Sequence, residues 1–248
     1  GNGGNGFHPG AGSTGVLFRR CVAEGNGRAG FFFCVRANHI TVKDCTFRSN
    51  TSCGISVGTR DRHNLIESCE MTRNQGPGIL FRNQPRPVEV HSCTVRGCRL
   101  EGNALATGRG QIDILGDAHG LIFEENTIVG PEGLERAGIY VSPSAERIWE
   151  SRNRIEGCWP ALVADPASLA LERPAFDCGR DAAKDVHYRH LGKRAGQADG
   201  GRPLSATGRP RQATEALQRH GSRGAVPPPE SWRLRQGDLG VQPLVGGT

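Results

Sequence analysis

The chain has 248 residues, 31 Lys+Arg against 25 Asp+Glu, and 36 glycines, 15 prolines and nine cysteines. That length suits one domain with an appendage, and no apolar run reaches the ~18 residues of a membrane-spanning helix. The positive charge is held unevenly: residues 177–248 carry 12 Lys/Arg and 7 Asp/Glu, whereas residues 1–176 carry 19 against 18, so the basic balance says little about the body of the chain.

From Gly6 onward one pattern returns every 24 residues. Gly6, Gly30, Gly54 and Gly78 open the runs GFHPG, GFFFCVR, GISVGTR and GILFRNQ. Cys21, Cys45, Cys69 and Cys93 follow at the same interval, each inside an apolar-polar run, and Asn2, Asn26, Asn50 and Asn74 make a third column. A 24-residue period is too short for a helical-hairpin repeat or a propeller blade and suits one coil of a parallel β-helix. Period-two alternation after each glycine puts Phe31, Ile55 and Ile79, then Phe33, Val57 and Phe81, inside as stacked rows, with Ile112, Ile114, Ile139 and Val141 continuing them. Residues one coil apart then become neighbours at about 4.8 Å.

The first coil starts with Gly1 and with Asn2 already in its column, so further N-terminal coils and any export signal are expected to precede it. After Cys93 the register breaks. The matching position is Asn126, 33 residues on, which places about nine extra residues in RGCRLEGNALATGRG; the step to Asn153 is 27, with three extra residues in VGPEGLERAG. Two neighbouring insertions at one corner are expected to wall a groove. The pattern fades by Phe176. The domain reading is therefore an N-terminally truncated β-helix over 1–176 and a Gly/Pro/Arg-rich tail over 177–248. The tail reads as largely disordered, with a short helix around 212–220 and too few aromatics to point to nucleic acid.

The four evenly spaced cysteines read as an internal ladder of small buried thiols. A zinc site needs ligands converging on a point, whereas a ladder sets them in a line. No cofactor or metal is expected, and no Asp/Glu cluster resembles a calcium site.

On these residues, GFHPG, FFFCVR, GISVGTRDRHN and GILFRN on a 24-residue frame with an Asn or Cys ladder, the chain resembles the right-handed parallel β-helix repeat proteins of the pectate-lyase-like superfamily. The resemblance covers residues 1 to about 165. It implies an all-β fold, a right-handed solenoid of ~24-residue coils, and a function directed at polysaccharides. Relatives carry an acidic residue before GFHPG and a His-Lys-Asp run where this chain reads Thr59-Arg60-Asp61, so Asn5 and Thr59 depart from the pattern.

Stacking also gives a surface map. Arg36 aligns with Arg60 and His39 with His63, Asp61 lies between them, and His8, Asp113 and Tyr140 share an outward column with Arg82 nearby. Aligned like charges repel, so Arg36 over Arg60 points to an anion, and arginine pairs bidentately with carboxylates and sulfates. The carboxylate pair that a glycosidase needs has only Asp61 and Asp113 as candidates, with Asp117 behind them. A lyase or epimerase needs a base and a cation instead. The sequence reading is thus a protein that binds, and as a lyase or epimerase acts on, an acidic polysaccharide, with His8, Arg36, Arg60 and Asp61 in catalytic roles and His39, His63, Arg82, Asp113 and Tyr140 contacting substrate. The competing reading is a non-catalytic carbohydrate-binding or structural β-helix. Secretion or export to the periplasm is the matching location.

Overall fold

The computed structural model describes residues 1–176; the readings of the 177–248 tail lie outside the described residues. Within them the chain winds as a right-handed solenoid of three six-stranded parallel sheets. Sheet A holds Phe31–Phe32, Ile55–Val57, Ile79–Phe81, Gly110–Ile114, Ala137–Val141 and Leu162–Val163. Sheet B holds Leu17–Arg19, Thr41–Lys43, Leu65–Glu67, Thr94–Arg96, Ile122–Glu124 and Trp149–Ser151. Sheet C holds Val22–Glu24, Thr46–Arg48, Glu70–Thr72, Arg99–Glu101, Thr127–Val129 and Arg154–Glu156.

The alternation in the sequence decides what is inside. Phe31, Ile55, Ile79, Ile112 and Ile139 stack in one row and Phe33, Val57, Phe81, Ile114 and Val141 in the next, all buried. The opening glycines stand where neighbouring rungs approach closely: a Cβ on Gly54 would sit 2.6 Å from the Gly78 carbonyl oxygen.

Buried amides tie the rungs together. Asn26, Asn50 and Asn74 each donate both backbone N–H and side-chain Nδ2 to the Oδ1 of the next asparagine, ending on Asn103 at 3.1 and 2.8 Å from Asn74. Asn103 passes the pattern to Gln111 Oε1.

The cysteine ladder is real but its fourth rung is Cys98, not Cys93. Cys45, Cys69 and Cys98 each donate from Sγ to a sheet B carbonyl one rung back, those of Phe18, Val42 and Ile66. Cys98 N then donates to Asn126 Oδ1, where asparagine takes over the column and continues to Asn153. The register breaks earlier than the spacing suggests, because Thr94 pairs with Leu65, an offset of 29. Five of the nine extra residues lie between Phe81 and Glu89, within 82–88, and four between Glu101 and Ile112. Cys93 sits one residue before Thr94, on the rung after Asn64.

All eight described cysteines are free. Burial pushes the Cys53 thiol up to about 11. At Cys69 a lowering contact with Cys45 is outweighed by one with Cys98 and by burial, leaving it at about 12. Native-state labelling with a maleimide, read by mass spectrometry, should therefore modify Cys34 well before Cys53, Cys69 or Cys98, since these three are buried and the Cys53 and Cys69 thiols are in addition held protonated. Equal labelling rates at Cys34 and Cys69 would contradict the ladder.

Asn74→Ala should be among the most destabilising changes in the chain. It orphans the Phe47 carbonyl and the donors of Asn50, at roughly 1–3 kcal/mol for each buried group left unpaired. Urea unfolding followed by circular dichroism measures it, and a midpoint equal to wild type would refute the ladder's role.

Candidate functional site

The corner between sheets A and B carries the polar residues singled out in the sequence. Arg36 and Arg60 take left-handed backbone at φ 64° and 58°. Three residues on, His39 and His63 do so again at φ 53°, and Ser92, Gly120 and Arg147 follow in the same position of later rungs. Between these lies a row of parallel bridges, Thr14–Asn38–Arg62–His91–His119–Glu146. Arg60 N donates to Val88 O as Arg36 N donates to Thr59 O, so Glu89 occupies the rung after Arg36 and Arg60.

These rows enclose a shallow cavity of about 210 Å³ lined by Arg36, Asn38, Arg60, Arg62, Glu89 and His91, with Pro87 of the five-residue insertion at its edge. Arg36 and Arg60 share it, as the stacking implied. Their guanidinium groups and that of Arg62 enter no salt bridge among the described residues. Several other columns alternate sign from rung to rung: Glu67 lies between Lys43 and Arg96 at 2.6 Å from each, Arg48 meets Glu24 at 2.9 Å, and Arg152 meets Glu125 at 2.6 Å. In the cavity the stacked Arg36 and Arg60 have no such partner among the described residues.

The remaining sequence candidates fall on a different surface. His8, Phe32, Ser56, Leu80, Asp113 and Tyr140 form the outward column of sheet A. His8 is exposed and meets Phe32 edge-on at 5.1 Å. Tyr140 lies under the Arg109 guanidinium at 4.8 Å. Arg82 is not a free cation. It reaches back over the Phe32 ring at 4.3 Å, donates to Ser56 Oγ at 2.7 Å and Phe33 O at 3.0 Å, and stands 3.6 Å from Asp61.

Neither Asp61 nor Asp113 presents a carboxylate to a ligand. Asp61 is fully buried and accepts from the backbone N–H groups of Ala37 and Gly58 at 2.9 and 2.8 Å; burial pushes it up to about 6, against the lowering effect of those N–H groups and Arg82. Asp113 is 2 % exposed and accepts from the N–H groups of Arg109 and Gly110, with burial again raising its pKa. Both carboxylates hold turns together. A short polar side chain at a tight corner serves the backbone as readily as a substrate, which is why residue type alone suggested catalysis.

Glu89, His91, Arg62 and His119 were missed in sequence. With the register break placed after Cys93, His91 aligns with Glu67 on sheet B. The signal that would have found them is Pro85-Arg86-Pro87, a loop marker inside what reads as a regular coil.

Among the described residues no group of three or more His, Cys, Asp or Glu side chains is placed to hold a metal, and no helix is long and apolar enough to cross a membrane.

Residues 1–128 match the family described as right handed beta helix region. The chain belongs to this family. No curated protein matches it in sequence. Among solved structures it is similar to the Azotobacter vinelandii mannuronan C-5 epimerase AlgE4 A-module, with 14% identity and a TM-score of 0.37 over 63% of this chain and 57% of that one. It is also similar to the AlgE6 A-module from the same organism, with 12% identity and a TM-score of 0.33 over 64% and 58%. The β-helix thus spans less than two thirds of the length of either module.

The Arg82 arrangement depends on one glycine. A Cβ on Gly58 would lie 2.2 Å from Arg82 Nε. Gly58→Ala should destabilise the wild type and be much milder when Arg82 is already alanine. A double-mutant cycle by urea unfolding should show a coupling within the roughly 0.5–3 kcal/mol range of contacting residues; additivity would mean that the guanidinium does not rest on Gly58.

Proposed function

We propose that this β-helix binds an acidic polysaccharide at the corner cavity, with Arg36, Arg60 and Arg62 receiving its carboxylate or sulfate groups. One observation carries the reading: three guanidinium groups share a cavity whose one carboxylate is Glu89, and none of the three enters a salt bridge among the described residues, whereas Lys43, Arg48, Arg96 and Arg152 each meet a carboxylate of a neighbouring rung. A planar guanidinium forks onto a carboxylate or sulfate with two parallel hydrogen bonds. Arg36 and Arg60 make that offer on two successive rungs, about 4.8 Å apart, which suits a polymer bearing more than one anion. Export to the cell exterior or periplasm, where such polymers are met, belongs to the same proposal.

Arg60→Ala should weaken binding of a uronate or sulfated polymer by roughly 1.5–3 kcal/mol, the range for hydrogen bonds to charged groups. Because Arg60 is exposed, folding stability should change by no more than about 0.5 kcal/mol. Binding should also fall as salt rises, since exposed charges are screened beyond about 8–10 Å. Affinity electrophoresis across a panel of uronate and sulfated polymers reads both effects. The basic tail is common to wild type and variant, so unchanged affinity in the variant would remove the cavity from the account.

A second reading is favoured by Glu89 and His91 standing in the same cavity. β-Elimination needs a base to take the proton α to a carboxyl. The C–H electron pair then forms the enolate that a cation stabilises, the new C=C expels the glycosidic oxygen, and that oxygen gains a proton. Side chains able to act as base and as cation are both present, and a rise in ultraviolet absorbance from the unsaturated product separates cleavage from binding.

A further inference from the structure

Four imidazoles form a row along the corner, and one of them, His91, lines the cavity. His39 and His63 stack at 5.0 Å with planes 11° apart, His63 meets His91 edge-on at 5.8 Å, and His91 stacks on His119 at 5.0 Å and 9°. At the far end His119 Nδ1 stands 3.5 Å from Glu89 Oε1, within ion-pair reach but without hydrogen-bond geometry. His119 Nδ1 and Glu89 Oε2 are both buried and make no hydrogen bond among the described residues. Glu89 and His91 line the arginine cavity, so one imidazole of the row and the carboxylate that faces His119 both belong to the anion site.

The charged groups facing the row come from every rung beside it. Arg62 and His39 act on His63; His119, His63, Arg62 and Glu89 act on His91; Glu89, Arg147, Arg86 and the Asp117 backbone act on His119. Glu146, the rung after His119, is taken up by Arg86 at 2.6 Å. Asp61, two residues from His63, is turned inward to Ala37 and Gly58. Burial, the largest cause at each, holds His63, His91 and His119 below the ordinary imidazole range, so these three are neutral at neutral pH. In that state Glu89 is the nearest anion to the cavity's arginines along their own column and opposes an incoming anion.

We propose that the histidine row is a proton-operated charge element of the arginine cavity: acidification loads protons onto the row, offsets Glu89 and tightens the hold on a polyanion. Linkage makes the converse hold, so a bound polyanion draws protons onto the row. The inference rests on the anion reading of the cavity. Its direction is fixed by sign: the free protein resists protonation at these imidazoles, and an anion beside them favours it.

Dextran sulfate is the probe, because its sulfate esters stay ionised across the histidine range and any pH response then belongs to the protein. With the full chain at constant ionic strength, affinity should rise on the order of tenfold from about pH 7.5 to about pH 5.5. Calorimetry in buffers of different ionisation heat should show net proton uptake on binding. Glu89→Gln should bind several-fold tighter than wild type at the higher pH and respond less to acid, a gain that misfolding does not produce. His119→Gln should also flatten the pH response, and Arg60→Ala should weaken binding at both pH values while keeping the wild-type ratio. The tail is the same in every variant, so its charges drop out of these comparisons. If Arg60→Ala weakens binding but Glu89→Gln matches wild type at both pH values, the proton element is overturned and the cavity stands. If Arg60→Ala leaves binding unchanged, the cavity reading falls and takes the inference with it.

Discussion

Each ladder asparagine offers one side-chain oxygen to two donors of the asparagine a rung earlier, its backbone N–H and its side-chain NH2, as between Asn50 and Asn74 at 3.0 and 2.9 Å. That double contact sets the rest of the molecule. It satisfies amides that are wholly buried, where an unpaired polar group is costly, and it admits only one register between rungs. A slip by one residue would turn a strand's inner face outward and would also break the amide chain. Register fixed in this way makes every column of like residues a spatial neighbourhood, inside as the phenylalanine and isoleucine rows, outside as rows of charge.

Rows of charge are the price of such a frame, and several columns meet it by alternating sign. The Lys43–Glu67–Arg96 run and the Arg48–Glu24 pair place opposite charges on successive rungs. Exposed pairs of this kind contribute little individually, but the alternative is rung-to-rung repulsion. Arg36 over Arg60, with Arg62 alongside, does not follow that pattern, and the departure coincides with a cavity and a stacked row of imidazoles. Three departures from the solenoid's own regularity at one corner weigh more than any one of them.

The fold was legible because its signal is redundant. Glycine, apolar and amide columns each give the period independently, and the buried rows occupy the positions that alternation assigned. The site was legible in part. Arg36, Arg60, His39 and His63 lie on the regular coils and came out in register, whereas Glu89, His91 and His119 follow an insertion that a cysteine column disguised. Cys93 and Cys98 both lie near the expected spacing, and only strand pairing shows which continues the ladder. Burial at the corners was not legible. Asp61 and Arg60 are adjacent in sequence, yet one is fully buried under backbone N–H groups and the other is exposed, because a tight turn sends successive side chains to opposite sides.

A strictly periodic coil presents a strictly periodic surface, and such a surface has ridges but no unique place on it. Recognition of a particular group needs something that occurs once. Here that is the five-residue insertion within 82–88, which puts Pro87 beside arginines set out by the regular coils, with Glu89 on the rung after Arg60 and His91 in the bridge row after Arg62. The regular rungs supply rigidity, since their backbone is paired on both sides. The irregular corner supplies shape and the one carboxylate of the cavity. Removing the insertion would restore the 24-residue step and close the cavity edge while leaving the amide ladder and both buried rows intact, so the solenoid and its site are separable properties of the same chain.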